Sequence, residues 1–358
     1  MNAAATGPRD GGQRDARRML DANANRAAEG LRVLEDVARF LIDDATAARR
    51  AKELRHRVRT LVPDDAVAAR ASDEDVLAAT TLPGDGGRPR LIDLIRANAA
   101  RAQEALRAAE ESARLLGADQ SGGGAIAAGL EQVRYSAYHL ESALLSRLPG
   151  WLLWRVRLYV LVDPGMCADA VATAAAAARG GAGAVQLRAK SLSPRAYRDL
   201  AARVQDAIRG LGTLFIVNDH VAVAKALGAD GIHVGQDDLS PADVRAVVGP
   251  SCALGLSAHT PEQAIAAIAA GADYLGLGPM YATTTKPHEP ARGPELLDLV
   301  RPTITRPSYA IGGLTAARVR ELRPRLPHGV AVSAAVCAAK DPQAAAEELH
   351  LILEPEDA

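Results

Sequence analysis

The chain has 358 residues, enough for two average domains, and its 48% apolar content allows a large core although aromatics are only 3%. A formal net charge of −1 argues against a strongly electrostatic partner such as nucleic acid or an anionic membrane. Cys167, Cys252 and Cys337 stand apart, without metal-ligand or redox spacing, and read as small core residues of a reducing compartment.

In chain order, the opening MNAAATGPRDGGQRDARR has no apolar signal region, and no later run is long enough to span a bilayer. The expectation is a cytoplasmic protein whose residues 1–14 form a disordered tail. Residues 15–148 carry a helical pattern rich in Ala, Leu, Arg and Glu. Inside it lies a repeat. DANANRAAEGLRVLEDVAR (21–39) is echoed by IRANAARAQEALRAAEESAR (95–114), so that Asn23, Arg26, Glu29, Leu31, Arg32, Glu35 and Arg39 recur 75 positions later. KELRH (52–56) has a looser echo in EQVRY (131–135). Two related helical hairpins packed as a bundle explain this. LPGDGG (82–87) and SGGG (121–124) read as loops. Glu29, Arg32, Glu35 and Arg39 fall at three- and four-residue steps, which suits either a solvated ladder of ion pairs or a polar pocket between the repeats.

After Pro149-Gly150 the pattern changes to short β-branched runs alternating with Ala-rich stretches. Strands are expected at 157–164, 183–190, 214–220, 231–236, 253–259, 273–280, 308–313 and 329–334. Ser240-Pro241 and Thr260-Pro261 mark helix starts, and Thr260 with Gln263 matches a capping box. Strand and helix alternating eight times over residues 151–358 make a (β/α)8 TIM barrel, so the whole chain is of α/β class with an all-α repeat domain in front.

In such a barrel the chemistry sits at the C-terminal strand ends, where this sequence places its unusual residues. Alternation sends Gln186, Arg188 and Lys190 to one face of the second strand, and two buried cations call for an anion such as a phosphate or diphosphate, or for a structural ion pair. Strands three and four end on Asp219 and Asp238. These acids either neutralise Arg188 and Lys190 or hold a divalent cation such as Mg²⁺ bridging to the same anion. Ser257 follows on strand five, with His259 read as structural because nothing positions it as a base for the serine. Thr283, Thr284, Thr285 and Lys286 form a polar loop over the barrel mouth. Gly312-Gly313 and Val332-Ser333, after strands seven and eight, occupy the habitual phosphate position of the fold. Two anion sites in one barrel suit an enzyme that joins two phosphorylated small molecules or moves a group between them.

The strings VQLRAK, VNDHVAVAKALGADGIHVGQDDLS, GLSAHT, ADYLGLGPMYATTTK and AIGG, in this order, resemble thiamine-phosphate synthase across residues 157–340. The resemblance implies a transferase of thiamine biosynthesis. It would couple 4-amino-5-hydroxymethyl-2-methylpyrimidine diphosphate to a thiazole phosphate, release diphosphate and use Mg²⁺. It implies that Gln186, Arg188, Lys190, Asn218, Ser257 and Lys286 bind the pyrimidine diphosphate, with Lys190, Ser257 and Lys286 as catalytic candidates. Asp219 and Asp238 would hold the metal, and Thr283 to Thr285, Gly312, Gly313, Val332 and Ser333 the thiazole phosphate. Where the family usually has glutamate, this chain has Ala189. The helical half, with DANANRAAEGLRVLED and LRH, resembles a domain fused ahead of this synthase in some bacteria and associated with phosphorylating hydroxymethylpyrimidine phosphate. It lacks a GxxxxGK[ST] loop. A thiazole tautomerase-like barrel and a non-catalytic sensor or scaffold are the rival readings, and a homo-oligomer is compatible with the sequence.

Overall fold

Leu20, Ala24, Ala27, Leu31 and Leu34 recur at three- and four-residue steps, and all are buried along one face of helix α1 (Pro8–Val37). The same stripe returns 75 residues later as Ile95, Ala99, Ala102, Leu106 and Ala109 on α4 (Leu91–Leu115), again all buried. The small residues let the two helices approach closely. A Cβ on Gly30 of α1 would stand 2.8 Å from the Asn98 carbonyl of α4. The structure is a computed structural model that describes residues 8–68, 90–116, 122–282 and 290–354. It divides into two units, Met1–Arg147 and Leu148–Ala358.

In the first unit α1 and α4 pack with α2 (Ala45–Leu61), the short α3 (Asp64–Ala68) and α5 (Gly123–Leu145). Helix α1 starts at Pro8, so residues 8–14 are helical where a disordered tail was expected; proline at a first helical position is favourable because its missing N–H is unsatisfied there anyway. Of the SGGG stretch, Gly122 is the left-handed N-cap of α5 while Gly123 and Gly124 lie in its first turn, and Ser121 falls outside the described residues, as does LPGDGG. The ladder on α1 is centred on a buried acid. Glu35 is 3% exposed and accepts from Arg55 of α2 at 2.8 Å, with Arg32 and Arg39 at 3.8 and 4.0 Å. Its repeat counterpart Glu110 is fully buried and accepts from Arg134 of α5 at 2.6 Å. The related pairs KELRH and EQVRY supply these two arginines, which is why that looser echo exists.

The second unit begins with α6 (Pro149–Leu152) and closes a parallel barrel in the order β1-β2-β3-β4-β5-β6-β7-β8. The strands are β1 (Leu158–Val162), β2 (Ala184–Leu187), β3 (Leu214–Asn218), β4 (Gly231–Val234), β5 (Ala253–Ala258), β6 (Tyr274–Leu277), β7 (Ser308–Ile311) and β8 (Gly329–Val332). Each is shorter than the sequence pattern indicated, because the polar residues at its end belong to loops. Closure is made by β1 on β8, with Leu158 opposite Val330. Around them lie α7 (Ala170–Arg179), α8 (Pro194–Ile208), α9 (Val221–Leu227), α10 (Pro241–Val248), α11 (Pro261–Ala269), α12 (Glu295–Val300), α13 (Ala316–Leu322), α14 (Ala334–Cys337) and α15 (Pro342–Leu353). Ser240 and Thr260 cap α10 and α11 through their side-chain oxygens. Gln263 reaches back one residue further than a capping box requires, accepting from the His259 N–H at 2.7 Å.

Alternation sorts the strand residues into two cores. Leu158, Val160, Val185 and Leu187 face the surrounding helices, while Tyr159, Leu161, Ala184, Ile216 and Ala253 face inward. The barrel interior is filled by Tyr159, Tyr274 and Tyr309, all buried, with Tyr159 and Tyr274 sharing a hydroxyl contact of 3.1 Å. Gly255 makes this possible, since a Cβ there would overlap the Tyr274 ring. All three cysteines are free thiols; burial pushes the Cys337 thiol up to about 11 and Cys252 to about 12, as befits core residues. No helix among the described residues is long and apolar enough to cross a membrane.

Candidate active site

The polar strand ends converge on one cavity of about 460 Å³ at the C-terminal face of the barrel. Gln186, Arg188, Lys190, Asn218, Asp219, Asp238, Ser257, Gly312, Gly313, Val332 and Ser333 all border it. Thr283, Thr284, Thr285 and Lys286 lie outside the described residues.

At its floor Gln186 is 1% exposed and donates from Nε2 to the Tyr159 hydroxyl at 2.9 Å. Its Oε1 is buried without a partner among the described residues, which leaves an acceptor facing a ligand that can donate. On β4 the imidazole Nε2 of His233 lies 3.0 Å from the Ser257 hydroxyl.

At the rim, the second strand's cations do not stand free. Arg188 donates to Asp163 at 2.8 Å, and Lys190 lies 3.6 Å from Asp219. Asp163 directly follows the first strand as Asp219 directly follows the third, and that shared position was the signal that could have found it. Asp219 adopts a left-handed backbone with φ of 58°, uncommon for a residue with a Cβ, and its N–H is fixed to the His233 carbonyl at 3.0 Å. Burial raises its pKa and the neighbouring Asp238 carboxylate raises it further, with Lys190 opposing. Asp238 itself is steadied by the Gly235 N–H at 2.7 Å. Two hard-oxygen carboxylates pressed together beside a single lysine suit a divalent cation. No group of three or more His, Cys, Asp and Glu that could hold a metal gathers among the described residues.

Across the cavity, Gly312 and Gly313 both take positive φ, 103° and 63°, and a Cβ on Gly312 would stand 2.5 Å from Pro279. Side chains at these two positions would collide with Pro279 and with Ala282 and Tyr281, so glycine is what lets this turn pack against the loop after β6. Ala331 belongs to the inner core and Val332 to the outer one, and both border the cavity with Ser333, whose hydroxyl lies 3.7 Å from the Met166 sulfur. Helix α14 after β8 has four residues, too few for the dipole assistance expected there. Sequence reasoning also passed over Tyr159, His233 and Arg318, each of which borders the cavity. His259, read as structural, borders it too, with Nδ1 on the Gly278 carbonyl at 2.5 Å.

Comparison with known proteins finds two family models and full-length relatives. A family model described as thiamine monophosphate synthase matches residues 158–336, and one described as the ThiD2 family matches residues 18–143. A thiamine-phosphate synthase of Gloeobacter violaceus is 39% identical, covering 91% of this chain and 93% of its own. One from Thermosynechococcus vestitus is 36% identical, covering 96% of each. The solved thiamine phosphate pyrophosphorylase of Pyrococcus furiosus superposes with a TM-score of 0.52 at 33% identity, covering 56% of this chain and 97% of that one.

Proposed function

Since the chain belongs to the thiamine monophosphate synthase family, transferases of thiamine biosynthesis, we propose that this cavity couples 4-amino-5-hydroxymethyl-2-methylpyrimidine diphosphate to a thiazole phosphate. The observation that carries the proposal is the meeting of Arg188, Lys190, Asp219, Asp238 and Ser257 at one rim above an unpartnered Gln186 oxygen.

In this reading the methylene C–O bond of the pyrimidine diphosphate breaks, and its electron pair leaves with diphosphate. The amino-pyrimidine ring delocalises the resulting cation. The thiazole nitrogen lone pair then forms the new C–N bond, which gives thiamine monophosphate. Gln186 Oε1 accepts from the pyrimidine amino group and holds the ring. Arg188 and Lys190 take diphosphate oxygens. With the His233 Nε2–H donating to Ser257, the serine hydroxyl is left to donate to one of the same oxygens. Asp219 and Asp238 would hold Mg²⁺, which when bound neutralises charge on the departing diphosphate. Lys286 and Thr283 to Thr285 remain part of the proposed set. The floor and rim hold the two reactants together, so no covalent nucleophile is needed.

A tautomerase-like barrel would use neither both aspartates nor the two cations, and a sensor would bind without turnover. The test is release of inorganic diphosphate by the full chain given both substrates. The expected result is release that needs Mg²⁺ and both substrates; binding without release would overturn the reading. For the helical unit we propose phosphorylation of the pyrimidine monophosphate, supported by its match to the ThiD2 family. ATP-dependent formation of the diphosphate by the full chain, and none by residues 148–358, is the expected result.

A further inference from the structure

The two ends of the cavity differ in how their cations are used. Arg188 and Lys190 each face a carboxylate, Asp163 and Asp219. At the opposite end the guanidinium of Arg318, from the first turn of α13, borders the same cavity. Among the described residues no carboxylate lies within ion-pair distance of it. Its group lies over the Tyr281 ring, 4.3 Å from the centroid, and Nη1 donates to the Gly313 carbonyl at 2.5 Å. Its main-chain N–H is tied to the Thr315 hydroxyl at 3.4 Å.

A guanidinium carries five N–H donors. Here only one side-chain hydrogen bond is made among the described residues, while ring and carbonyl fix the plane of the group. A half-buried cation held rigid by a π face and left with most of its donors open among the described residues is prepared for an oxyanion that offers two acceptor oxygens side by side, as a phosphate does. It stands beside Gly313, where a Cβ would meet the Ala282 carbonyl at 2.6 Å and the Tyr281 Cβ at 2.9 Å before Arg318 Nη1 at 3.3 Å, so glycine is what lets ring, turn and guanidinium pack this closely.

We propose that Arg318 binds the phosphate monoester of the second substrate and sets the preference of the barrel for the phosphorylated thiazole over the free alcohol. This rests on the coupling reading above and adds to it the residue that reads the acceptor's phosphate. Arg318 is a binding residue; the bond changes occur at the pyrimidine methylene.

The experiment compares Arg318→Ala and Arg318→Lys with the parent chain, using thiazole phosphate and the corresponding thiazole alcohol as acceptors at saturating pyrimidine diphosphate. Arg318→Ala is expected to raise KM for thiazole phosphate about 10- to 100-fold, the range for loss of charge-assisted hydrogen bonds. KM for the pyrimidine diphosphate and kcat/KM with the alcohol should change far less than KM for thiazole phosphate. Arg318→Lys, which keeps the charge and loses the fork, should recover part of the loss. Inorganic phosphate should compete with thiazole phosphate in the parent chain and much more weakly in Arg318→Ala. Equal losses on phosphate and alcohol would overturn the proposal and leave Arg318 as a brace for Tyr281 and Gly313. An unchanged KM for thiazole phosphate would overturn it as well, while coupling itself stands. A parent chain that couples neither acceptor would instead defeat the coupling reading.

Discussion

Asp219 combines two unfavourable features, a left-handed backbone and a carboxylate crowded by Asp238. Asparagine tolerates the same backbone as aspartate and has nearly the same shape. Asp219→Asn should therefore leave the metal-free fold intact, with an unchanged or higher melting temperature because the repulsion is relieved. Turnover should fall about 100-fold or more, and Asp238→Asn should behave alike. Circular dichroism with steady-state kinetics checks both, and unchanged turnover would remove the metal-holding role. A second titrating residue lies at the other end of the barrel. His328 accepts from the Arg157 guanidinium at Nδ1, 3.2 Å, and donates from Nε2 to the Leu153 carbonyl at 3.0 Å. Burial, and then the Arg157 charge, push its pKa down to about 4. A depressed histidine favours the folded state fully above its ordinary pKa near 6.5. That contribution, ~3 kcal/mol at most, is lost as pH falls from there toward about 4. His328→Gln should flatten the acid side of the barrel's thermal stability profile over that window; a profile as steep as the parent's would discount His328.

At the scale of elements, the two halves of the bundle repeat a buried acid bonded by an arginine from the next helix. Glu110 is fully buried, so Glu110→Ala leaves Arg134 without its carboxylate and should cost about 3–5 kcal/mol. Adding Arg134→Ala should return part of that cost. Hydrogen exchange of the α4 amides in the full chain is the readout, since a two-unit protein has no single melting event. A double variant as damaged as the sum of the singles would mean the pair is not coupled. The repeat, and the alternation that brings Gln186 and Arg188 to one face, were legible because both follow from fixed periods of 3.6 and 2 residues. The burial of Glu35 was not legible, since a ladder spacing says nothing about what packs on top of it. Asp163 and Arg318 escaped for a related reason. Their partners, Arg188 and Tyr281, lie 25 and 37 residues away in the chain and meet them through the pairing of neighbouring strands, β1 with β2 and β6 with β7.

At the scale of the whole molecule, the Pyrococcus furiosus structure is matched over 97% of its length by little more than half of this chain. A barrel of this kind therefore exists without the bundle. Residues 148–358 expressed alone should fold and couple both substrates with kcat/KM within about twofold of the full chain, since every described residue that borders the cavity lies in that unit. A folded but inactive fragment would show that the bundle completes the site. Within the barrel, buried Tyr159, Tyr274 and Tyr309 fill the interior beneath Gln186, so the floor of the cavity among the described residues is a wall of phenol rings. If the pyrimidine has to seat on that floor before its neighbour is held, product-inhibition patterns should show ordered addition, pyrimidine ahead of thiazole; random arrival would mean neither substrate waits for the other.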